Sequence, residues 1–340
     1  MRHVIALDVG GTGTRAALVG LDGTLLHEER RATARERGPE AVVASVLGLA
    51  EDLRARGRTH YGTAALAAGV AVPGSVDTAR GVAVHAAGLG WHDVPLRDLL
   101  SHRLGGTPVA LGNDVRTGGL AEARLGAGRG TGRFLFVSLG PRIAGAIGID
   151  GTIETGAHGG AGEIGHLVVR PGGPPCACGG RGCLEALASA EAVGRAWAVA
   201  SGRPSADAAD CARAVEAGDE AASAVWRAAV AALADGLLTA LTILDPRTVV
   251  IGGGLGRAGA TLLTPLRTAL AERVTFQKLP AIVPAALGDT AGCLGAGLLA
   301  HDLLATADAV RPAAAQAPRW IGCMGRRGRG MRSSSGASPW

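Results

Sequence analysis

The chain has 340 residues, 47% of them hydrophobic, which is enough apolar material for two domains with cores of their own. Only 3% are aromatic while 55 are glycine, so the core must be built from Ala, Val, Leu and Ile, with glycines left for turns and close backbone approaches. The formal charge of +5 does not mark a nucleic-acid surface, because the six arginines after Asp308 (Arg311, Arg319, Arg326, Arg327, Arg329 and Arg332) meet no acid and leave the rest of the chain near neutral.

That segment, 311–340, mixes Pro, Gly, Ser and Arg without apolar periodicity and reads as a disordered basic tail, with no nucleic-acid partner expected. Lys278 is the only lysine and lies outside any Gly-rich loop, which excludes a Walker P-loop and the protein-kinase arrangement. The apolar run Val4–Leu7 is too short for a signal peptide and ends at Asp8. The run 228–244 carries Asp235 near its centre and reads as a buried helix rather than a membrane span. Six cysteines, three of them clustered, suit a metal site in a reducing cytoplasm better than a disulfide framework.

In chain order, His3–Val9 is a buried strand entering Gly10-Gly11-Thr12-Gly13. The run Gly11–Ala16 also fits a dinucleotide-binding pattern, which requires a helix to follow; Arg15–Gly20, a turn at 21–24 and Leu25–Arg31 instead predict a hairpin. An amphipathic helix is expected from Pro39 to Arg56, closed by Gly57. A strand at 67–72 ending at Pro73-Gly74, a helix at 96–104 and a short strand at 109–111 follow. The last hands over through Gly112-Asn113-Asp114 to a helix at 115–125, and strand ends of this kind are where ligands bind. Strand, Gly loop and hairpin then recur at 134–151, so two related α/β domains facing a cleft are predicted. Helices near 190–202, 206–217 and 219–244, a strand at 248–251, Gly252-Gly253-Gly254, a helix, a strand at 281–286 and a last helix at 291–305 complete the order.

His166, Cys176, Cys178 and Cys183 form a full tetrahedral donor set for zinc in a Gly- and Pro-rich stretch. Four protein ligands leave no open position, so the metal is expected to be structural. Cys211, Cys293 and Cys323 stand apart and read as core or tail residues.

Gly162-Glu163-Ile164-Gly165-His166, Cys176-Ala177-Cys178-Gly179 and Gly182-Cys183-Leu184-Glu185 closely resemble the hallmark of the ROK family of bacterial sugar kinases and sugar-responsive repressors. The resemblance extends to Asp8–Thr12, Gly112–Asp114, Gly252–Leu255 and Gly295–Gly297, and so over roughly residues 4–305. It implies an actin-like ATPase (ribonuclease H-like) α/β fold with two domains flanking a cleft. The N-terminal domain would span 1–117, completed by the last helix at about 291–308, and the C-terminal domain 118–290.

The resemblance further implies phosphorylation of a hexose, glucose at its 6-hydroxyl foremost, from ATP with Mg²⁺, and Asp114 as the base that accepts the hydroxyl proton. N-acetylmannosamine, N-acetylglucosamine and fructose are the other acceptors it suggests, and a catalytically weak or inactive sugar-binding regulator of the same family is the rival. Asp8, Gly10, Gly11, Thr12 and Arg15 would line the phosphate and magnesium site, Gly140 a second phosphate loop, and Gly253, Gly254 and Gly297 the adenosine. Gly74, Asn113, Asp114, Glu163, His166 and Glu185 would hold the sugar. A homodimer or homotetramer follows from family habit. The chain departs from the family at Gly140-Pro141-Arg142, where Gly-Thr-Gly is typical, and at Gly88, where Asn is frequent.

Overall fold

The structure, a computed structural model, describes residues 1–310; the basic tail and Cys323 lie outside the described residues. The chain opens with β1 (His3–Val9), β2 (Gly13–Gly20) and β3 (Leu25–Ala32), then α1 (Pro39–Tyr61) and β4 (Ala68–Val72). A small meander, β5 (Ser75–Asp77), β6 (Val82–Ala86) and β7 (Trp91–Val94), precedes α2 (Leu96–Arg103), β8 (Val109–Asn113) and α3 (Asp114–Leu125). The second half repeats the opening with β9 (Arg133–Leu139), β10 (Ile143–Ile149) and β11 (Thr152–Glu154). Four helices follow: α4 (Leu184–Ala188), α5 (Ala190–Ser201), α6 (Ala208–Glu216) and α7 (Glu220–Leu244). The chain then runs through β12 (Thr248–Gly252), α8 (Gly253–Gly256), α9 (Ala260–Ala271), β13 (Ala281–Pro284) and α10 (Ala291–Val310).

The two large sheets have the same order, β3-β2-β1-β4-β8 and β11-β10-β9-β12-β13. In each, the first three strands are antiparallel and the last two join parallel to the first. The inner parallel strands β4 and β12 are buried along their whole length, as strands covered on both faces must be, and so read as continuous apolar runs. The outer strand β3 alternates with exposed charge, which protects an open edge.

One core packs α1 and α2 on the first sheet, with Ile5, Leu7, Leu18, Leu49, Leu53 and Trp91 almost fully enclosed. The other packs α5, α6, α7 and α9 on the second, with α7 burying Leu233, Leu237 and Leu241 at four-residue spacing. Each fully buried Leu or Val contributes about 1.5–3 kcal/mol. α7 is long and apolar enough to cross a membrane, but half of it is buried against this core, and Asp235 pairs with Arg273 of the α9–β13 connection at 2.7 Å.

α10 returns to the first sheet, where Cys293, Ala296 and Ala300 pack on Val4, Ala6, Ala17 and Ala71. α3 runs unbroken through residue 117 and lies against α10 as well as β10 and β11. Helix α1 extends beyond the expected stop at Gly57 to Tyr61 and is capped by Gly62. Gly57 is instead a packing position, where a Cβ would come within 2.4 Å of the His3 ring. The hairpin reading of residues 13–32 holds, and no helix follows the first Gly loop as a dinucleotide site requires.

Candidate active site

Asp114 sits where β8 of the first sheet becomes α3, at the floor of a cleft between the two sheets. The residue before it does the capping: Asn113 Oδ1 accepts the Arg116 backbone N–H at 3.0 Å. Asn113 Nδ2 donates to the Gly74 carbonyl and to Asp114 Oδ1, both at 3.0 Å. Oδ1 also accepts the Val115 N–H at 2.8 Å, while Oδ2 has no protein partner among the described residues. Burial pushes the Asp114 carboxyl up to about 7, with the Asp8 and Glu163 carboxylates adding to it and the Val115 N–H opposing. A fixed carboxylate with one free oxygen and a pKa near neutrality suits a general base.

The cleft encloses about 860 Å³, a volume that suits a nucleotide-sized ligand. From the first half it is lined by Asp8, Gly10, Gly13, Arg15 and Arg30, and from the second by Ser138, Gly252, Gly253, Gly256, Arg257 and Asp289. Burial raises Asp8 to about 6 against the pull of the Arg15 guanidinium. Arg15 is itself held by Glu28 at 2.7 Å. The Gly10–Gly13 loop closes through Gly10 N–H to Gly13 O at 3.0 Å and is braced by Thr33, whose hydroxyl donates to Gly10 O at 2.6 Å.

Two glycines are fixed by close approach. Gly253 has φ +80° and its Cβ would lie 2.6 Å from the Leu139 backbone; a Cβ on Gly292 in α10 would lie 2.3 Å from the Asp8 carboxylate.

The expected nucleotide residues divide. Asp8, Gly10, Arg15 and Gly253 line the cleft; Gly11 and Thr12 lie at the loop tip beside it, with open space around Gly11. Gly254 faces a neighbouring cavity with Leu255 and Ala258. Gly297 is turned away, packed against Val19 of β2, because α10 presents its first turn, Ala291-Gly292, to the cleft. Gly140 does not line the cleft either. Its N–H donates to Arg142 O and its carbonyl accepts the Ala190 N–H, both at 2.9 Å, and Pro141 and Arg142 face a cavity beside the cysteine loop.

On the acceptor side, Gly74 and Glu163 line an adjoining cavity together with Arg116. Arg116 is buried, donates to Ala161 O at 3.3 Å and lies 3.9 Å from Glu163. Glu185 anchors β10 by accepting the Ile143 N–H at 3.0 Å and opens on the cavity that holds Pro141 and Arg142. Sequence reasoning missed Arg116, for which a helix position gave no signal. It also missed Glu122, fully buried at the far end of α3. Glu122 accepts backbone N–H groups from Ala127, Ala286 and Leu287 at 2.7, 3.2 and 2.9 Å, tying α3 to the loop that brings Asp289 to the cleft.

His166, Cys176, Cys178 and Cys183 converge, with all four donor atoms within 4.8 Å of one another. Cys176 Sγ lies 3.7 Å from His166 Nδ1, and Cys178 Sγ 3.7 Å from Cys183 Sγ. A tetrahedral zinc sets sulfur and nitrogen ligands about 3.5–3.8 Å apart, so the residues fit the metal. The His166 N–H donates to the Glu163 carbonyl at 3.1 Å, which links this cluster to the acceptor cavity.

The ROK family model matches residues 4–303. The glucokinase of Thermotoga maritima is 36% identical over 309 residues, 86% of this chain and 95% of that protein. Among solved structures, the ROK hexokinase of Thermus thermophilus is 34% identical with a TM-score of 0.79, over 89% of this chain and 99% of its own. The ROK family glucokinase of Streptomyces griseus, solved in complex with glucose and AMPPNP, is 28% identical with a TM-score of 0.74, over 88% of this chain and 99% of its own. With the actin-like ATPase architecture, the duplicated sheet order and the matching motifs all in one chain, this protein belongs to the ROK family.

Proposed function

We propose that the protein is an ATP-dependent hexose kinase acting in the cytoplasm, with glucose at its 6-hydroxyl as the expected acceptor and Asp114 as general base. The observation that carries this reading is the position of Asp114 in the cleft lined by Asp8, Arg15 and Gly253, tied through Asn113 to Gly74 of the Gly74–Glu163 cavity, with one carboxylate oxygen free of protein partners among the described residues. A sugar hydroxyl becomes an effective nucleophile only as its proton leaves, and a carboxyl poised near pH 7 accepts that proton without prior activation.

Asn113 fixes the carboxylate, Gly74, Glu163 and Arg116 wall the sugar, and His166, whose N–H donates to the Glu163 carbonyl, and Glu185 of α4, which accepts the Ile143 N–H of β10, brace the segments around it. Arg15, held by Glu28, faces the phosphates. Magnesium bound with the nucleotide supplies positive charge to offset the phosphate oxygens, and Asp8 is the cleft carboxylate suited to it. Zinc on His166, Cys176, Cys178 and Cys183 is structural in this reading and holds the loop that carries Glu163.

The rival reading, a sugar-binding regulator without turnover, draws on Gly140-Pro141-Arg142. Pro141 and Arg142 line the cavity beside the cysteine loop rather than the cleft, which favours turnover over this rival. ADP release from magnesium-ATP across a panel of hexoses and N-acetylhexosamines decides the matter: turnover with glucose is expected, and a folded, zinc-loaded protein inactive with every sugar would overturn the proposal.

A further inference from the structure

His85 on β6 and His92 on β7 stand directly opposite each other in the antiparallel meander, which puts both side chains on one face, and both are exposed. Their Nδ1 atoms lie 3.3 Å apart, with ring centroids at 4.7 Å and planes tilted by 51°. At this distance one neutral ring can donate its N–H to the other's nitrogen. A metal can take the place of that hydrogen bond, since neutral imidazole offers it a lone pair from each ring.

The distance is also the right one. Two nitrogens bonded at about 2.0–2.1 Å to one tetrahedral ion lie roughly 3.3–3.4 Å apart, which the His85–His92 spacing matches. We propose that His85 and His92 form a solvent-facing binding site for a divalent transition cation, separate from the cysteine cluster and independent of the kinase reading. Imidazole donors select nickel, copper or zinc over magnesium and calcium. Among the described residues no third His, Cys, Asp or Glu joins the pair, because the His166 cluster is the one group of three or more such donors. Water or a small ligand therefore completes the shell, and the site is exchangeable rather than structural.

Its place in the fold gives the site a consequence. The His85 carbonyl packs against Gly74, where an added Cβ would come within 2.1 Å of it, and the Gly74 carbonyl receives the Asn113 amide. A cation that ties β6 to β7 thus braces the strand behind the acceptor wall.

The test is a calorimetric titration of full-length protein, already carrying one equivalent of zinc, with nickel chloride at mildly alkaline pH, beside His85→Ala and His92→Ala. Both variants change exposed side chains and keep the cysteine cluster, so nickel bound there moves in neither. One saturable nickel per chain is expected, weakened in both variants by at least roughly tenfold, since loss of a mere supporting partner already costs that much at metal sites. No nickel binding, equal binding in all three proteins, or weakening in only one variant would overturn the paired site.

Discussion

The two halves of the molecule run the same strand order to different ends. In the first, the loop after β1 folds on itself through Gly10 and Gly13 and lines the cleft; in the second, the loop after β9 closes from Gly140 to Arg142 and turns toward the cysteine loop. Asp8 and Ser138 occupy matching places, each one residue before its strand ends, yet one is a carboxylate with a perturbed pKa and the other a neutral hydroxyl. The C-terminal half meets the cleft instead through Gly252 at the end of β12, Gly253 and Gly256 of α8, and the charged pair Arg257 and Asp289. Duplication supplies the scaffold, and loop chemistry decides what each copy presents to the cleft.

That contrast can be broken most directly by exchanging the matched residues. Asp8→Asn is expected to lower kcat/KM for ATP by about 10²-fold or more, the scale of losing one preorganised charge contact, whereas Ser138→Ala should cost less than about tenfold. Equal losses would mean that the two halves share the phosphate work. Removal of zinc comes next in size. Chelation should weaken glucose binding by roughly tenfold through the His166–Glu163 link while leaving nucleotide affinity within about twofold, as equilibrium titrations of each ligand would show. The smallest effect is expected from restoring the family loop with Pro141→Thr and Arg142→Gly. Exposed substitutions away from a site change free energies by about 0.5 kcal/mol or less, so the KM for ATP should move by no more than about twofold. A larger gain would place that loop at the phosphates after all.

What the sequence revealed follows the range of the interactions involved. Strand, Gly loop and hairpin could be read twice because buried runs and turn residues are local signals, and the metal cluster because its four donors lie within 18 residues, from His166 to Cys183. The misreadings arose where distant partners decide. Gly57 looked like a helix stop because nothing nearby shows the His3 ring against it, and Gly297 looked like a cleft residue because its motif does not reveal which face of α10 meets β2. Asn113 caps α3, and its other bond reaches back to Gly74 in a way no local signal shows. Glu122 acquires its role only from Ala286 and Leu287, more than 160 residues away. Arg116 and Thr33 carry no motif, and their places near the cleft come from tertiary packing alone.

The same burial that poises Asp114 sets the sign of two pH effects. Its folded pKa of about 7 exceeds the ordinary 3.8, so folding favours the protonated form; stability contributed by this group is full below the ordinary value and declines as pH rises toward 7. Asp114→Asn should therefore unfold at higher temperature than the parent at pH 8, with a smaller difference at pH 5. Catalysis runs the opposite way, because only the carboxylate can accept the proton. The decisive measurement is kcat/KM for glucose as a function of pH in the parent and in Asp114→Asn, with glucose affinity measured alongside. The account predicts a parent profile that rises through about pH 7 and a variant that still binds glucose but turns over at least about 10²-fold more slowly. A variant that keeps most of the activity with the same pH profile would contradict Asp114 as the base.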